Sequence, residues 1–263
     1  MVDYVTSGDA TIAYELDGDA DAPALLLINS IGSTREMWAR QVTAFVVRHR
    51  VIRYDARGHG ESSVPDGPYT IEQLGLDALA VLDDVGAHVS DVCGISLGGL
   101  TAQWLALNAR SRVRRLVLAN TAARVGTTES WNERIEMVRA HGMSAIADLS
   151  MPRWFSPSFH SRDAETVRTF RAMVENCPIA GYLGCCAVLR NTDLRDQVAG
   201  ITSPTLLVAS TADSATPPEG LQFLQERIGG SQLVTFPSGH LSNVECSVEF
   251  TTAVLDFLGP GPT

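Results

Sequence analysis

The sequence predicts an α/β fold with a mostly parallel, doubly wound sheet and an inserted helical cap. Short apolar runs recur in the first half of the chain and again near its end, and helical patterns separate them. Strands that are covered on both faces read as continuous apolar runs, and helices between such strands imply parallel pairing. From residue 130 to about residue 189 no strand-like run occurs and only helical patterns are found, which is typical of a cap laid over the sheet.

The order of elements follows from this alternation of apolar runs and helical patterns. The predicted strands are 11–15, 24–28, 51–54, 89–93, 115–119, 204–209 and 232–236, and the predicted helices are 35–47, 71–85, 100–109, 219–228 and 248–258. The first strand precedes the turn signal Asp17-Gly18-Asp19, which predicts a hairpin at the sheet edge. Thr70 is the predicted N-cap of the second helix, and Gly86 lies just past its end.

The chain divides into a core with one insertion. The first part of the core covers 1–123, the helical cap covers 124–195, and the second part of the core covers 196–263. Helical patterns in the cap lie at 131–139, 163–174 and 179–189, with expected breaks at Gly142, Pro152, Pro157 and Pro178.

Composition disfavours several classes of partner and of site. All 20 basic residues are arginines and the net charge is −10, which disfavours nucleic acid and anionic membranes. No apolar run reaches the roughly 18 residues that a membrane span needs, and the first residues lack a basic segment followed by an apolar one, so we expect a cytoplasmic protein. The five cysteines include no C-x-x-C pair, so no zinc site or disulfide framework is expected.

Charge is distributed unevenly along the chain. Residues 124–195 hold nine Arg and eight Asp plus Glu, a net charge of +1, so the remainder carries −11. An anionic small molecule would meet the least repulsion at the cap, although most of these arginines fit a solvated helix face of mixed charge.

The chemistry centres on Gly94-Ile95-Ser96-Leu97-Gly98, which stands between a predicted strand and a predicted helix. This is the G-x-S-x-G nucleophile elbow, in which a sharp turn exposes the serine hydroxyl. A turn serine without chemistry is the alternative for Ser96.

A serine needs a base and an acid that orients the base. Asp213 follows the strand 204–209 and His240 follows the strand 232–236, so both fall at the carboxyl edge of the sheet together with Ser96. The order Ser, Asp, His is the chain order of the α/β-hydrolase fold. A loop histidine and a turn or salt-bridged aspartate remain alternatives, and Asp193 and Asp196 are the fallback acids.

An oxyanion hole requires two backbone N–H donors. We expect one from Leu97, which follows the nucleophile, and one from Ile31 in the loop after strand 24–28. The Ser30 side chain either assists the substrate or stabilises the loop. The glycine-rich segment 55–62, which includes His59, lacks the dinucleotide pattern and reads as a scaffold turn.

A closer resemblance appears in blocks spread over the whole chain. They are NSIGS (29–33), RYDARGHG (53–60), GPYTIEQL (67–74), NTAA (120–123), WNERI (131–135), TPP (216–218) and GHLSNVE (239–245). These blocks resemble bacterial 3-oxoadipate enol-lactonases, and the similarity includes the cap. One position differs, because Ser210 stands where that family usually has glycine.

The resemblance implies hydrolysis of a five-membered enol-lactone that carries a carboxylate, a late step of aromatic breakdown, without metal or cofactor. The substrate would be a small anionic lactone. Arg134 is expected to receive its carboxylate, with an ion pair to Glu133 or Glu136 as the alternative, and Trp131 and Trp154 are expected to line the cap. A broader carboxylesterase or lactonase, a carbon-carbon bond hydrolase and a non-catalytic receptor or scaffold are the competing hypotheses. Oligomeric state is not predicted.

Overall fold

The computed structural model describes residues 1–259, so the last four residues of the predicted second core part lie outside the described range. One eight-stranded sheet has the order β1-β2-β4-β3-β5-β6-β7-β8. The strands are β1 (Val2–Ser7), β2 (Ala10–Asp17), β3 (Ala24–Ile28), β4 (Arg50–Tyr54), β5 (Ser90–Ile95), β6 (Val113–Ala119), β7 (Thr205–Ser210) and β8 (Gln232–Phe236). β2 pairs antiparallel with β1 and β4, and all other neighbours are parallel.

Helices connect the strands and cover both faces of the sheet. They are α1 (Ala39–Phe45), α2 (Ile71–Asp84), α3 (Leu97–Asn108), α4 (Thr128–Trp154), α5 (Pro157–Arg162), α6 (Ala164–Glu175), α7 (Ile179–Asn191), α8 (Glu219–Arg227), α9 (Ser242–Glu245) and α10 (Ser247–Leu258). The helices α4 to α7 lie between β6 and β7 in the chain and are called the inserted helices below.

Burial explains why the central strands lack alternation. Every residue of β5 and β7 is buried, because helices cover both faces of the sheet there. The predicted mostly parallel α/β fold is therefore confirmed. Thr70 begins α2 with a capping box, in which its hydroxyl accepts the Gln73 N–H while the Gln73 side chain accepts the Thr70 N–H.

Two local predictions were wrong. The hairpin turns at Gly8-Asp9 between β1 and β2, whereas Asp17-Gly18-Asp19 ends β2. Residue 8 has a φ of 58°, a conformation that favours glycine and suits a tight hairpin turn. α4 continues through Pro152, because the carbonyl that loses its helical donor belongs to exposed Asp148 and can be solvated.

The other predicted helix breaks coincide with observed interruptions or ends of helices. Gly142 interrupts α4 with a φ of 70° and a ψ of −171°. Pro157 is the first residue of α5, and Pro178 directly precedes α7. α9 was not predicted, since its four residues are too short for a periodic pattern.

Within residues 1–259, no single helix is long and apolar enough to cross a membrane. α6 and α7 reach that length and composition only when taken together, and they are bent by 93° at the break between them.

Candidate active site

The sharp turn after β5 presents Ser96. Its φ of 59° and ψ of −117° lie outside the regions that most residues adopt, and a residue in such a conformation is held by its surroundings. A Cβ added at Gly94 would lie 2.2 Å from the Gly98 carbonyl oxygen, and one added at Gly98 would lie 2.2 Å from the Ile28 carbonyl oxygen. Glycine at both positions therefore lets β3, the turn and α3 approach closely enough to form the elbow.

His240 lies in the loop after β8 and is 1 % exposed. Its Nδ1 is 2.9 Å from Oδ2 of Asp213 in the loop after β7. A carboxylate only accepts hydrogen bonds, so Nδ1 carries the proton and donates it to Asp213. The other ring nitrogen, Nε2, is then the one left to act as a base toward a ligand.

Asp213 is held as an anion by five donors. Oδ1 accepts the backbone N–H groups of Ala215 and Thr216, at 2.8 and 2.9 Å. Oδ2 accepts the Thr216 hydroxyl at 2.8 Å and the Asn120 side-chain amide at 3.0 Å, besides His240. Burial opposes the charge, but the His240 ring and the hydrogen bonds outweigh it and lower the pKa of Asp213 to about 2.

Ser96 and His240 face one cavity between the sheet edge and the inserted helices. Its empty volume is about 650 Å³, open mouth included. In the part of the chain that the structure describes, the Ser96 and His240 side chains make no direct hydrogen bond with each other. Such contacts often tighten only when a substrate is bound. The cavity is lined by Ser30, Ile31, Ser96, Val125, Gly126, Ser130, Trp131, Arg134, Ser150, Arg153, Trp154, Tyr182, Ala215, Thr216 and His240.

The two predicted oxyanion donors are placed around Ser96. Leu97 is the first residue of α3, and Ile31 is part of the cavity wall. Neither backbone N–H has a hydrogen-bond partner in the part of the chain that the structure describes. Their role as donors stays a prediction.

Ser30 contributes a further unpartnered group. Its hydroxyl is buried, lines the cavity and has no hydrogen-bond partner within the described residues. A buried hydroxyl without a partner is costly, so its presence at a cavity wall favours an interaction with a ligand.

Arg134 and Arg153 bring two positive charges to the same cavity. Arg134 only approaches the Tyr182 hydroxyl, at 3.4 Å, and Arg153 donates to the Ser214 carbonyl at 3.2 Å. Within residues 1–259 neither guanidinium pairs with a carboxylate, so the alternative partners of Arg134, Glu133 and Glu136, do not neutralise it. Burial and the neighbouring Arg134 charge lower the pKa of Arg153.

The tryptophans predicted at the site are in the cavity wall. The Trp131 indole N–H donates to the Val125 carbonyl at 2.7 Å, which fixes the ring at the start of α4. Trp154 is 6 % exposed and packs edge-on against Phe170, with ring centroids 6.4 Å apart. Both present apolar surface next to the two arginines.

Sequence reasoning did not identify Asn120 as a site residue, although it is part of the block NTAA (120–123). It follows β6 with a φ of 44°, and its amide nitrogen donates both to Asp213 and to the Ser210 hydroxyl, which lies 2.9 Å away. Ser210 in turn lies 2.8 Å from the Ser238 hydroxyl. The serine at 210 thus joins the network behind Asp213. The sequence did hold one signal for Asn120, because it directly follows a predicted strand at the carboxyl edge of the sheet.

The other candidates lie apart from the cavity. Asp193 pairs with Arg195 and Arg124 at the surface, and Asp196 is exposed. Among residues 1–259, no group of three or more His, Cys, Asp or Glu side chains is arranged to hold a metal ion.

Comparisons with known proteins agree with this geometry. A family model described as "Alpha/beta hydrolase family" matches residues 25–253. The chain is 40% identical, over 96% of its length and 94% of the relative, to 3-oxoadipate enol-lactonase 2 of Acinetobacter baylyi. It superposes on the crystal structure of the enol-lactonase from Burkholderia xenovorans LB400 with a TM-score of 0.96 and 38% identity, covering 97% and 99% of the two chains.

A hydrolase from Pseudomonas aeruginosa PA01 gives a TM-score of 0.95 at 46% identity, covering 98% of each chain. The family match spans most of the sequence, and the similarity to enol-lactonases extends through the inserted helices. The chain therefore belongs to the alpha/beta hydrolase family.

Proposed function

We propose that this chain hydrolyses 3-oxoadipate enol-lactone to 3-oxoadipate through Ser96, His240 and Asp213. One observation carries the proposal: a single cavity holds the elbow serine and its histidine together with two arginines that have no carboxylate partner in the described residues. A neutral ester would leave both guanidinium charges without a counter-ion. An anionic lactone supplies one, and the similarity to named enol-lactonases supports this substrate.

In the first step His240 takes the Ser96 proton on Nε2 while Oγ attacks the lactone carbonyl. Negative charge develops on the carbonyl oxygen, and the N–H groups of Ile31 and Leu97 stabilise it. Collapse of this intermediate breaks the ring C–O bond. The leaving enolate takes the proton from His240 and becomes the ketone, so the opened chain stays attached to Ser96 as an ester.

In the second step His240 activates a water molecule that attacks the same carbonyl carbon. The C–O bond to Ser96 breaks, and the serine recovers its proton from His240. Asp213 holds the imidazole in one tautomer throughout and stabilises its cationic form. The net reaction converts a monoanion and water into a dianion and one proton, and no metal or cofactor takes part.

Arg134 and Arg153 bind the carboxylate that the lactone carries. A guanidinium suits a carboxylate because its planar donors can bind both oxygens. Trp131 and Trp154 flank the ring, and the Ser30 hydroxyl binds the substrate. In this proposal residues 124–195 act as the cap that closes the site, and the protein works in the cytoplasm.

The test compares substrates of different charge. Purified enol-lactone should be consumed with release of one proton per ring opened, and with a kcat/KM well above that for neutral p-nitrophenyl esters. Equal or greater efficiency on the neutral esters would instead support a broader carboxylesterase. Cleavage of a carbon-carbon bond in a diketone at a comparable rate would support the third hypothesis.

A further inference from the structure

His59 is buried beside the loop that carries Ile31, and both of its ring nitrogens have backbone partners. Nε2 accepts a hydrogen bond of 2.9 Å from the Gly32 N–H. Nδ1 lies 3.2 Å from the Arg57 carbonyl oxygen. A carbonyl oxygen only accepts, so Nδ1 carries the proton and Nε2 keeps its lone pair for Gly32. The ring is therefore neutral and restricted to one tautomer.

The surroundings of His59 favour this neutral form. Burial lowers the pKa of His59, against the opposing effects of the Arg57 carbonyl and the Asp55 carboxylate. A protonated ring would turn an N–H toward the N–H of Gly32, and the hydrogen bond would be lost. The segment 55–62 thus does more than turn the chain, because it supplies an acceptor to another loop.

Hydrogen bonds fix the peptide planes on both sides of Ile31. The Ser30 carbonyl accepts the Ser33 hydroxyl at 2.7 Å and the Ser33 N–H at 3.2 Å. A trans peptide is planar, so the Ile31 N–H lies on the side opposite to that carbonyl. The next plane is held by the Gly32 N–H on His59. Between these two anchors, the Ile31 N–H keeps its own donor free within the described residues.

We propose that His59 is a positioning residue of the oxyanion hole. By accepting the Gly32 N–H, it holds the loop so that the Ile31 N–H meets the carbonyl oxygen that becomes negative. The inference rests on the proposed function, which assigns that donor role to Ile31. His59 does not touch the substrate, and it acts only through the backbone of the loop.

A positioning role differs measurably from simple packing. An oxyanion hole acts on charge that exists only in the transition state, so its loss lowers kcat and leaves KM nearly unchanged. Loss of a whole donor costs roughly 10²- to 10³-fold in kcat, and a misaligned donor should cost part of that. A residue that only fills space would lower the stability of the fold and leave the kcat of each folded molecule intact.

The experiment compares His59→Leu, which removes the acceptor, with His59→Gln, whose amide oxygen can replace it. His49→Leu is the matched control, because His49 is also fully buried but neither of its ring nitrogens accepts a hydrogen bond from the loop of Ile31. Active sites are counted with a phosphonate that labels the reactive serine, and kcat, KM and inhibition by a boronic acid are then measured on the lactone.

We expect His59→Leu to lower kcat by about 10- to 100-fold per labelled site, with little change in KM and parallel weakening of the boronate. His59→Gln should recover most of this loss, and His49→Leu should keep the kcat of the unmodified protein. If His59→Leu does not fold, His59→Phe provides the same test, since it also removes the acceptor for the Gly32 N–H but keeps a ring in the buried site.

Unchanged kcat per labelled site in His59→Leu, or in His59→Phe where that variant replaces it, would overturn the inference. Equal losses in His59→Leu and His49→Leu would overturn it as well. Failure of the unmodified protein to be labelled or to turn over the lactone would instead refute the proposed function, so the two failures are distinguishable.

Discussion

Glu245 ties Ser156 of the inserted helices to the loop of the last core strand. The Ser156 N–H donates to its carboxylate at 3.0 Å, and the Ser156 hydroxyl binds the other oxygen. The same carboxylate accepts the Gly239 N–H at 3.0 Å, one residue before His240. A single buried acid therefore joins the segment after α4 to the loop of His240.

A second contact lies on the other side of His240. The Leu241 N–H donates to the Trp154 carbonyl at 3.1 Å. The histidine is thus anchored to the inserted helices through both of its chain neighbours. This arrangement favours a fixed position of His240 over a lid that lifts away at Trp154.

Replacing Glu245 by alanine should therefore affect stability and activity together. The change leaves buried N–H groups unsatisfied, so we expect a loss of about 1–3 kcal/mol in the free energy of unfolding, and a lower kcat because His240 loses an anchor. Urea unfolding and lactone turnover measure the two effects. Glu249→Ala is the control, since Glu249 is exposed on α10. Equal stability of the two variants would contradict this account of Glu245.

The unpartnered hydroxyl of Ser30 gives a contrasting prediction. Ser30→Ala should leave the free energy of unfolding unchanged or slightly higher, because no hydrogen bond within the described residues is lost. It should lower kcat/KM on the lactone by about tenfold, the value of roughly one hydrogen bond. Ser33→Ala is the control for stability, as its hydroxyl is hydrogen-bonded. A Ser30→Ala variant that is destabilised as much as Ser33→Ala would refute the prediction.

The two arginines should determine charge selectivity. Arg153→Met and Arg134→Met should each lower kcat/KM on the anionic lactone by about 10- to 100-fold, since each removes a charged hydrogen bond to the carboxylate. A neutral ester of similar size should be affected far less. Arg139→Met, which removes an exposed arginine paired with Glu136, should leave both activities unchanged. Equal losses on the lactone and the neutral ester would show that the arginines only support the fold.

The lowered pKa of Asp213 predicts a pH-dependent contribution to stability. Its pKa of about 2 in the folded protein lies below the ordinary value of 3.8, so the unfolded chain takes up the proton first as pH falls. The stabilisation is complete above about pH 4 and is lost as pH falls toward about 2. Asp213→Asn does not titrate, so the difference in stability between it and the unmodified protein should shrink over that range.

Urea unfolding at several pH values between about 5 and about 2 measures this difference. Asp3→Asn serves as the control, because Asp3 is exposed on β1. A difference between the Asp213→Asn variant and the unmodified protein that stays constant with pH would contradict the pKa shift.

The sequence predicted the parts of the molecule that local chemistry determines. Buried parallel strands appear as uninterrupted apolar runs, and the elbow glycines are required by close backbone contacts at Gly94 and Gly98. The loops with Ser96, Asp213 and His240 could be placed at one edge because parallel strands all point their carboxyl ends there.

The parts that were missed depend on packing between distant segments. Arg153 lines the cavity from the last turn of α4, directly after Pro152, where sequence reasoning expected a break. The role of Glu245 depends on Ser156, 89 residues away in the chain. Neither relationship produces a periodic pattern or a local motif, so neither could be inferred before the fold was known.

The central claim is that Ser96 is the nucleophile of a lactone hydrolase. Turnover of purified 3-oxoadipate enol-lactone by the Ser96→Ala variant, compared with the unmodified protein, tests it most directly. We predict that the unmodified protein opens the ring and that the variant loses at least about 10³-fold in kcat while remaining folded. Turnover by Ser96→Ala at the rate of the unmodified protein would contradict the account.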